Sequence, residues 1–224
     1  DTELAVIDLR ASLARSLQSL QALQASRSDT ERWRQDAEAL LHEQRQWLRL
    51  EWRDAALRTL AAADTPYRPS PFTPARREGL QAEVEQACLQ AQTQRSGAYS
   101  PSHYLPLPDA SGGLEVMEAC VPMPDGGFMV ATYGLRALLT EIIPADMTRG
   151  QEVSLNELDG TRLVSIGAAR RARHRVFSRQ QPVEVAGASF VRDLYRRART
   201  RNSKQPAPFS SLPLYFLAAA WALI

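Results

Sequence analysis

The residues able to carry chemistry are few and scattered. His42, His103 and His174 stand far apart, and no His-x-x-x-His or Cys-x-x-Cys spacing occurs, so no metal site is expected. No Gly-x-Ser-x-Gly elbow and no phosphate-cradling glycine-rich loop is present, and Gly112-Gly113 and Gly126-Gly127 read as turns. Glu83 and Glu85, two apart on a helical pattern, project to different faces and make no acid–base pair. Cys88 and Cys120 are too few for a disulfide-dense scaffold. The expectation is a chain without catalytic residues, metal or cofactor, and so not itself an enzyme.

The 224 residues, 44% apolar and 23% charged, can fill one large core or two small ones. Net charge is only +2, but it is unevenly spread. Residues 1–63 carry a net −1 and residues 64–167 a net −6, while residues 168–204 carry +9 from ten arginines and Lys204 against Glu184 and Asp193. This basic stretch lacks a recognition-helix pattern, so no nucleic-acid partner is expected. Contact with anionic lipid headgroups and a merely solvated surface are its two remaining readings. Residues 212–224 form an uncharged apolar run of thirteen, too short alone for a span of about 20 residues. They read as the start of a truncated transmembrane segment, the other reading being a buried terminal helix. No cleavable signal peptide is visible, because Asp8 and Arg10 interrupt the first apolar stretch.

No proline precedes Pro66 and no glycine precedes Gly79, so nothing before residue 64 forces the backbone out of a helix. Val6, Leu9, Leu13, Leu17, Leu20 and Leu23 recur at gaps of three and four, the seam of an amphipathic helix or coiled coil. Ser28-Asp-Thr-Glu31 matches a capping box, and a second helix is predicted through Trp33, Leu41, Trp47, Trp52 and Leu60. Residues 1–63 are thus expected to form a long helical, coiled-coil-like stalk that needs a partner, either by folding back or as a homodimer through these helices. Three prolines between Asp64 and Phe72 mark a linker, and Thr73-Pro74 starts a helix over about 74–95 that Gly97 is placed to end. Short strand-like runs follow at 114–121, 128–133, 152–155, 162–166, 175–177 and 189–195. Asp125-Gly126 and Asp159-Gly160 supply turns between them, and one helix, Leu135–Ile143, interrupts them before Pro144. This order predicts an α+β fold, long N-terminal helices followed by an antiparallel sheet with one inserted helix.

The passage Phe128-Met-Val-Ala-Thr-Tyr-Gly-Leu-Arg-Ala-Leu-Leu-Thr-Glu-Ile-Ile-Pro144, followed by Glu152-Val-Ser-Leu-Asn-Glu-Leu-Asp-Gly-Thr-Arg-Leu-Val164, resembles the extracytoplasmic sensor region of proteobacterial PAS-containing sensor histidine kinases. Tyr99-Ser-Pro-Ser-His-Tyr104 and Leu114-Glu-Val-Met-Glu-Ala-Cys120 fit the same pattern, so the resemblance covers roughly residues 74–195. It implies a Cache-like, PAS-related fold lying between two membrane spans. It also implies a periplasmic domain held at the inner membrane, which senses a small-molecule ligand and passes a helix displacement to a cytoplasmic kinase core. On that reading residues 64–195 are the sensor domain, 196–211 an Arg- and Pro-rich junction that departs from the family pattern, and 212–224 the second span. The positive-inside rule would place the basic flank in the cytoplasm, although large translocated domains often ignore flanking charge.

His42-Glu43-Gln44-Arg45 resembles part of a phospho-acceptor box, but Gln46-Trp47 stand where Thr-Pro would follow, and a solvent-facing histidine is the expected reading. In a periplasmic setting Cys88 and Cys120 would either form a disulfide or remain two buried thiols. A ligand pocket is expected on the sheet face beneath the Tyr99–Tyr104 loop, with Tyr99, Ser100, Tyr104, Glu115 and Tyr133 as candidate contacts; a purely structural role for the tyrosines is the alternative. The competing functional class is a coiled-coil interaction or scaffold module that senses nothing.

Overall fold

The computed structural model describes residues 2–107, 112–149, 151–167, 176–185 and 188–197. Uninterrupted by glycine or proline, the chain begins as α1 (Thr2–Ala22), then passes through a 3-10 turn (Leu23–Ser26) into α2 (Thr30–Glu43). The N-cap of α2 is Asp29, not Ser28: its carboxylate accepts the Glu31 amide at 2.9 Å. The second helix stops at Glu43, well short of Leu60. Trp47–Arg53 is strand β1 and Thr59–Asp64 is strand β2, so the helical reading of 47–60 is corrected. Apolar residues at 47, 48, 50 and 52 satisfy a helical period and an alternating one about equally, and pairing with distant strands selects the second.

Thr73 caps α3 (Pro74–Glu78) with Pro74 at its first position, as expected. The single helix predicted over 74–95 is two, with α4 (Gln81–Gln94) starting after Gly79-Leu80. Arg95, at φ +52°, ends α4 in the left-handed conformation. Gly97 has a different task, since a Cβ there would come within 2.8 Å of Leu17 on α1. The expected Tyr99–Tyr104 loop lies within strand β3 (Ala98–Pro106). Then come β4 (Gly113–Pro122), β5 (Phe128–Gly134), α5 (Leu135–Ile142), β6 (Gln151–Asn156), β7 (Arg162–Gly167), β8 (Val176–Val185) and β9 (Ala188–Arg197). Gly126 and Gly160, both at φ +90°, close the β4–β5 and β6–β7 hairpins.

The strands make two antiparallel sheets rather than one. The larger has the order β2-β1-β5-β4-β3 and the smaller β7-β6-β9-β8. The fold is α+β, N-terminal helices on antiparallel sheets with α5 inserted between them. The seam of α1 is spent inside the molecule. Val6, Leu9, Leu13, Leu20 and Leu23 are buried, α1 packs against β4, β5, α5 and β8, and so the chain's own sheets cover this seam. Among the described residues no helix is long and apolar enough to cross a membrane. The apolar 212–224 run and all of the junction beyond Arg197 lie outside the described residues, as does much of the basic stretch. Cys88 of α4 and Cys120 of β4 form a disulfide, Cα–Cα 5.0 Å, which fastens the helix to the larger sheet.

Candidate ligand-binding site

Strand β1 positions the most polar interior of the molecule. Alternation along the strand puts Arg49, Glu51 and Arg53 on one face, and the one-residue shift between Trp47 and Arg49 in the pairing with β5 lets Trp47 join Leu50 in the core on the other. The charged face looks away from α1 and toward α3. Thr132 of β5 lies opposite Arg49, and Glu118 of β4 lies opposite Thr132, so a polar row with a charge at each end crosses three adjacent strands.

Arg77, on the last turn of α3, inserts between the two carboxylates. Its Nε and Nη2 donate to the two oxygens of Glu51 at 2.9 Å each, and its Nη1 donates to Glu118 Oε1 at 2.6 Å. Glu51 also accepts from Arg49 Nε at 2.6 Å and from Arg53 Nε at 2.7 Å. Glu118 accepts from the Thr132 hydroxyl at 2.9 Å, and its own amide donates to Ser100 Oγ at 3.0 Å. All the carboxylate oxygens are thereby satisfied in the interior, as charged groups there must be. Burial by itself would raise the Glu51 carboxyl, but the Arg77, Arg53 and Arg49 guanidiniums overcome it and hold the group at about 2. Burial would likewise lower Arg77, and Glu118 and Glu51 together raise it above the ordinary arginine value.

Above this network, under α3, is a pocket of about 480 Å³. Its lining includes Arg49, Arg53, Arg58 and Arg77 with Glu78 as the one acidic member, plus Phe72 and Gln81. The Phe72 ring is flanked by the guanidiniums of Arg49 at 5.6 Å and Arg77 at 5.8 Å. Arg53 is braced by Gln81 Oε1 at 2.8 Å and by the Leu57 carbonyl at 3.0 Å. The rim is the β1–β2 turn, where Leu57 sits at φ +59°, a strained conformation for a branched side chain. The Asp54 carboxylate pins that turn by accepting the Ala56 and Arg58 amides, both at 2.9 Å.

A second, larger cleft of about 630 Å³ opens between the two sheets, against α5 and β7. The five residues expected from sequence to contact ligand divide among three places. Tyr104 and Glu115 face each other in the β3–β4 register and both line this cleft. Ser100 is buried beside Glu118. Tyr99 and Tyr133 are in the opposite core, their rings 5.7 Å apart, with the Tyr99 hydroxyl donating to the Leu13 carbonyl of α1 at 2.9 Å. Burial raises the pKa of both phenols. His103 lies 3.2 Å from Glu83, His42 is exposed with its ring edge-on to Tyr67, and His174 lies outside the described residues. No group of three metal-capable side chains occurs among the described residues.

Sequence reasoning missed Arg49, Glu51, Arg53, Arg77 and Glu118. The signal was present in Arg49-x-Glu51-x-Arg53, whose period of two is a strand presenting charge to one face. Reading residues 33–60 as helix concealed it.

No protein-family model matches the chain, and no curated protein matches it in sequence. Solved structures do match in fold. The ligand-binding domain of the Pseudomonas aeruginosa PAO1 amino acid chemoreceptor PctB in complex with L-Gln aligns over 98% of this chain and 96% of its own, at a TM-score of 0.56 and 15% identity. The same domain with L-Arg aligns over 87% and 91%, at 0.53 and 13% identity. The corresponding domain of the amino acid chemoreceptor PctC with GABA aligns over 86% and 95%, at 0.52 and 14% identity. The chain therefore shares their fold, a PAS/Cache-like α+β arrangement.

Proposed function

We propose that this chain is an extracytoplasmic sensory domain and that the pocket under α3 binds a small carboxylate-bearing molecule, an amino acid or organic acid. The observation that carries the proposal is the lining itself. Four arginines surround a cavity of about 480 Å³; Glu51, Glu118 and Gln81 orient Arg49, Arg53 and Arg77, and Asp54 pairs with Arg58. Such a site meets an incoming carboxylate with guanidiniums held in place beforehand, so little ordering is lost on binding. L-Gln, L-Arg and GABA, bound by the structurally similar domains, all carry a carboxylate, which supports this class.

The parent is a membrane-bound two-component sensor histidine kinase at the inner membrane, with this domain in the periplasm and residues 212–224 entering the second span. The sequence resemblance over residues 128–144 and 152–164 supports it. Ligand acts by favouring one placement of the sheet against α1, and the shift is passed on through the membrane. A homodimer would use the outer face of α1, where Ile7 is exposed, because the inner seam is spent.

Thermal-shift screening against amino acids, organic acids and amines tests the ligand class. Carboxylates should raise the melting temperature and amines lacking a carboxylate should not. Arg58→Ala, on the exposed rim, should lower the affinity of whichever carboxylate binds. Absence of stabilisation by any class, from a well-folded sample, would favour the scaffold reading instead. An upstream span and a downstream phospho-acceptor domain in the same polypeptide would test the kinase assignment directly.

A further inference from the structure

We infer that the cleft between the two sheets is a second ligand site, built for an anion with an apolar body. The inference does not rest on the pocket under α3. The two cavities share no lining residue, and they lie on different parts of the larger sheet.

The chemistry of the walls is specific. Arg45, Arg68, Arg136 and Arg162 line the cleft against Glu115 and Glu141, a local excess of positive charge. Two of the arginines are held in place: Arg45 stacks over the Tyr67 ring at 4.9 Å, and Arg162 Nη1 pairs with Glu152 at 2.7 Å. Arg68 and Arg136 make no ion pair among the described residues. They approach from separate elements, Arg68 from the segment after β2 and Arg136 from the first turn of α5. Leu48, Leu114, Leu163 and Val164 supply apolar surface in the same cavity. A cavity of about 630 Å³ is well within the size that takes a small organic ligand.

The cleft's position adds a consequence. Tyr104 and Leu114 belong to the larger sheet and Leu163 and Val164 to the smaller, so one bound molecule touches both. The Tyr104 ring can lie over Gly113, its diagonal neighbour in the β3–β4 register, because Gly113 has no side chain; a Cβ there would come within 2.3 Å of the ring. A ligand gripped in this way favours the sheet-to-sheet arrangement that completes the cleft, and would alter how the larger sheet communicates with the end of the chain.

Three probes with one phenyl body and different heads test the inference on the whole chain: phenylacetate, 2-phenylethanol and phenethylamine, measured by calorimetric titration or ligand-observed NMR. Phenylacetate should bind at least about tenfold more tightly than the amine, with the alcohol between them, since one charge-assisted hydrogen bond to an arginine is worth about tenfold in affinity. Arg68→Ala combined with Arg136→Ala should remove that preference, and both side chains are exposed enough for the fold to survive. Ala137→Trp should fill the cleft and abolish binding, with an unchanged melting curve as the check on folding. Arg34→Ala, which lines neither cavity, should leave phenylacetate binding as it was. Equal or tighter binding of the amine, no binding of phenylacetate at millimolar concentration, or a loss that follows Arg58→Ala rather than the Arg68 and Arg136 pair would each overturn it. Failure of the pocket under α3 would show differently, as no response to amino acids and small aliphatic acids, while phenylacetate binding that depends on Arg68 and Arg136 persists.

Discussion

The two faces of the five-stranded sheet come from alternate residues of the same strands and have opposite interiors. Toward α1 and α2, Leu50, Met117, Ala119, Met129 and Ala131 join one apolar core. Toward α3 and α4, the ends of the face are apolar. Ala98, Cys120 and Val130 meet Val84 and Ala87, and Leu105 and Val116 meet Leu80. Between these clusters sit Arg49, Glu51, Arg53, Arg77, Glu118 and Thr132. The difference follows from the cover. The helices α1 and α2 seal one face, while on the other α4 covers β3 and β4, and the five residues of α3 reach only part of what is left and deliver one arginine into it. A charged interior is tolerated where every charge has a partner and where solvent stays close.

Breaking the charged face should have the largest effect. Arg77→Ala strands Glu51 and Glu118 without their shared cation and should cost about 4 kcal/mol in urea unfolding, the usual range for leaving a buried charge unpaired. Replacing all three together, Glu51→Leu, Arg77→Met and Glu118→Leu, should recover most of that stability while abolishing carboxylate binding, which separates the network's two roles. If Arg77→Ala costs little, the network is a hydrated pocket wall rather than an interior.

Removing the disulfide that fastens α4 to this face, by Cys88→Ser with Cys120→Ser, should cost roughly 3.5 kcal/mol by loop entropy. The wild type should lose about as much on reduction, and the double variant nothing further. On the apolar face, Leu50→Ala should cost about 3 kcal/mol through the cavity it leaves. A cost above that of Arg77→Ala would reverse the ranking of the two faces.

Acid should act on one face only. The Glu51 carboxyl is held at about 2 in the fold against an ordinary value of 4.5, so its contribution is fully present above pH 4.5 and is lost as pH falls toward 2. The difference amounts to about 3 kcal/mol, and Glu51→Gln should flatten that part of the stability-versus-pH curve. The smallest effect is expected from the exposed Arg34–Glu31 pair on α2, where Arg34→Ala should change stability by less than about 0.5 kcal/mol.

Much of the fold was legible. Strands β4, β5, β6, β7 and β9 and helix α5 fall where short apolar runs and turn residues put them, and Thr73-Pro74 marks the start of α3. The candidate pocket was less so. Arg49, Glu51 and Arg53 lie on a segment whose tryptophans and leucines fit two periods, and Arg77 is one of two adjacent arginines on a short helix. Nothing local distinguishes it from its neighbour Arg76. The resemblance did carry the PAS/Cache-like architecture, because turn positions and strand lengths survive where side chains do not.

The sequence alone determined the α+β class, the hairpin turns and the amphipathic character of α1, since each depends on residues within a few positions of one another. Tertiary structure decided that Trp47–Arg53 is a strand, that the α1 seam is covered by the chain's own sheets, that Cys88 meets Cys120, and that one arginine joins two glutamates 67 positions apart. Each of these is a pairing between distant segments, and its free energy exists only once the intervening chain has folded to bring them together.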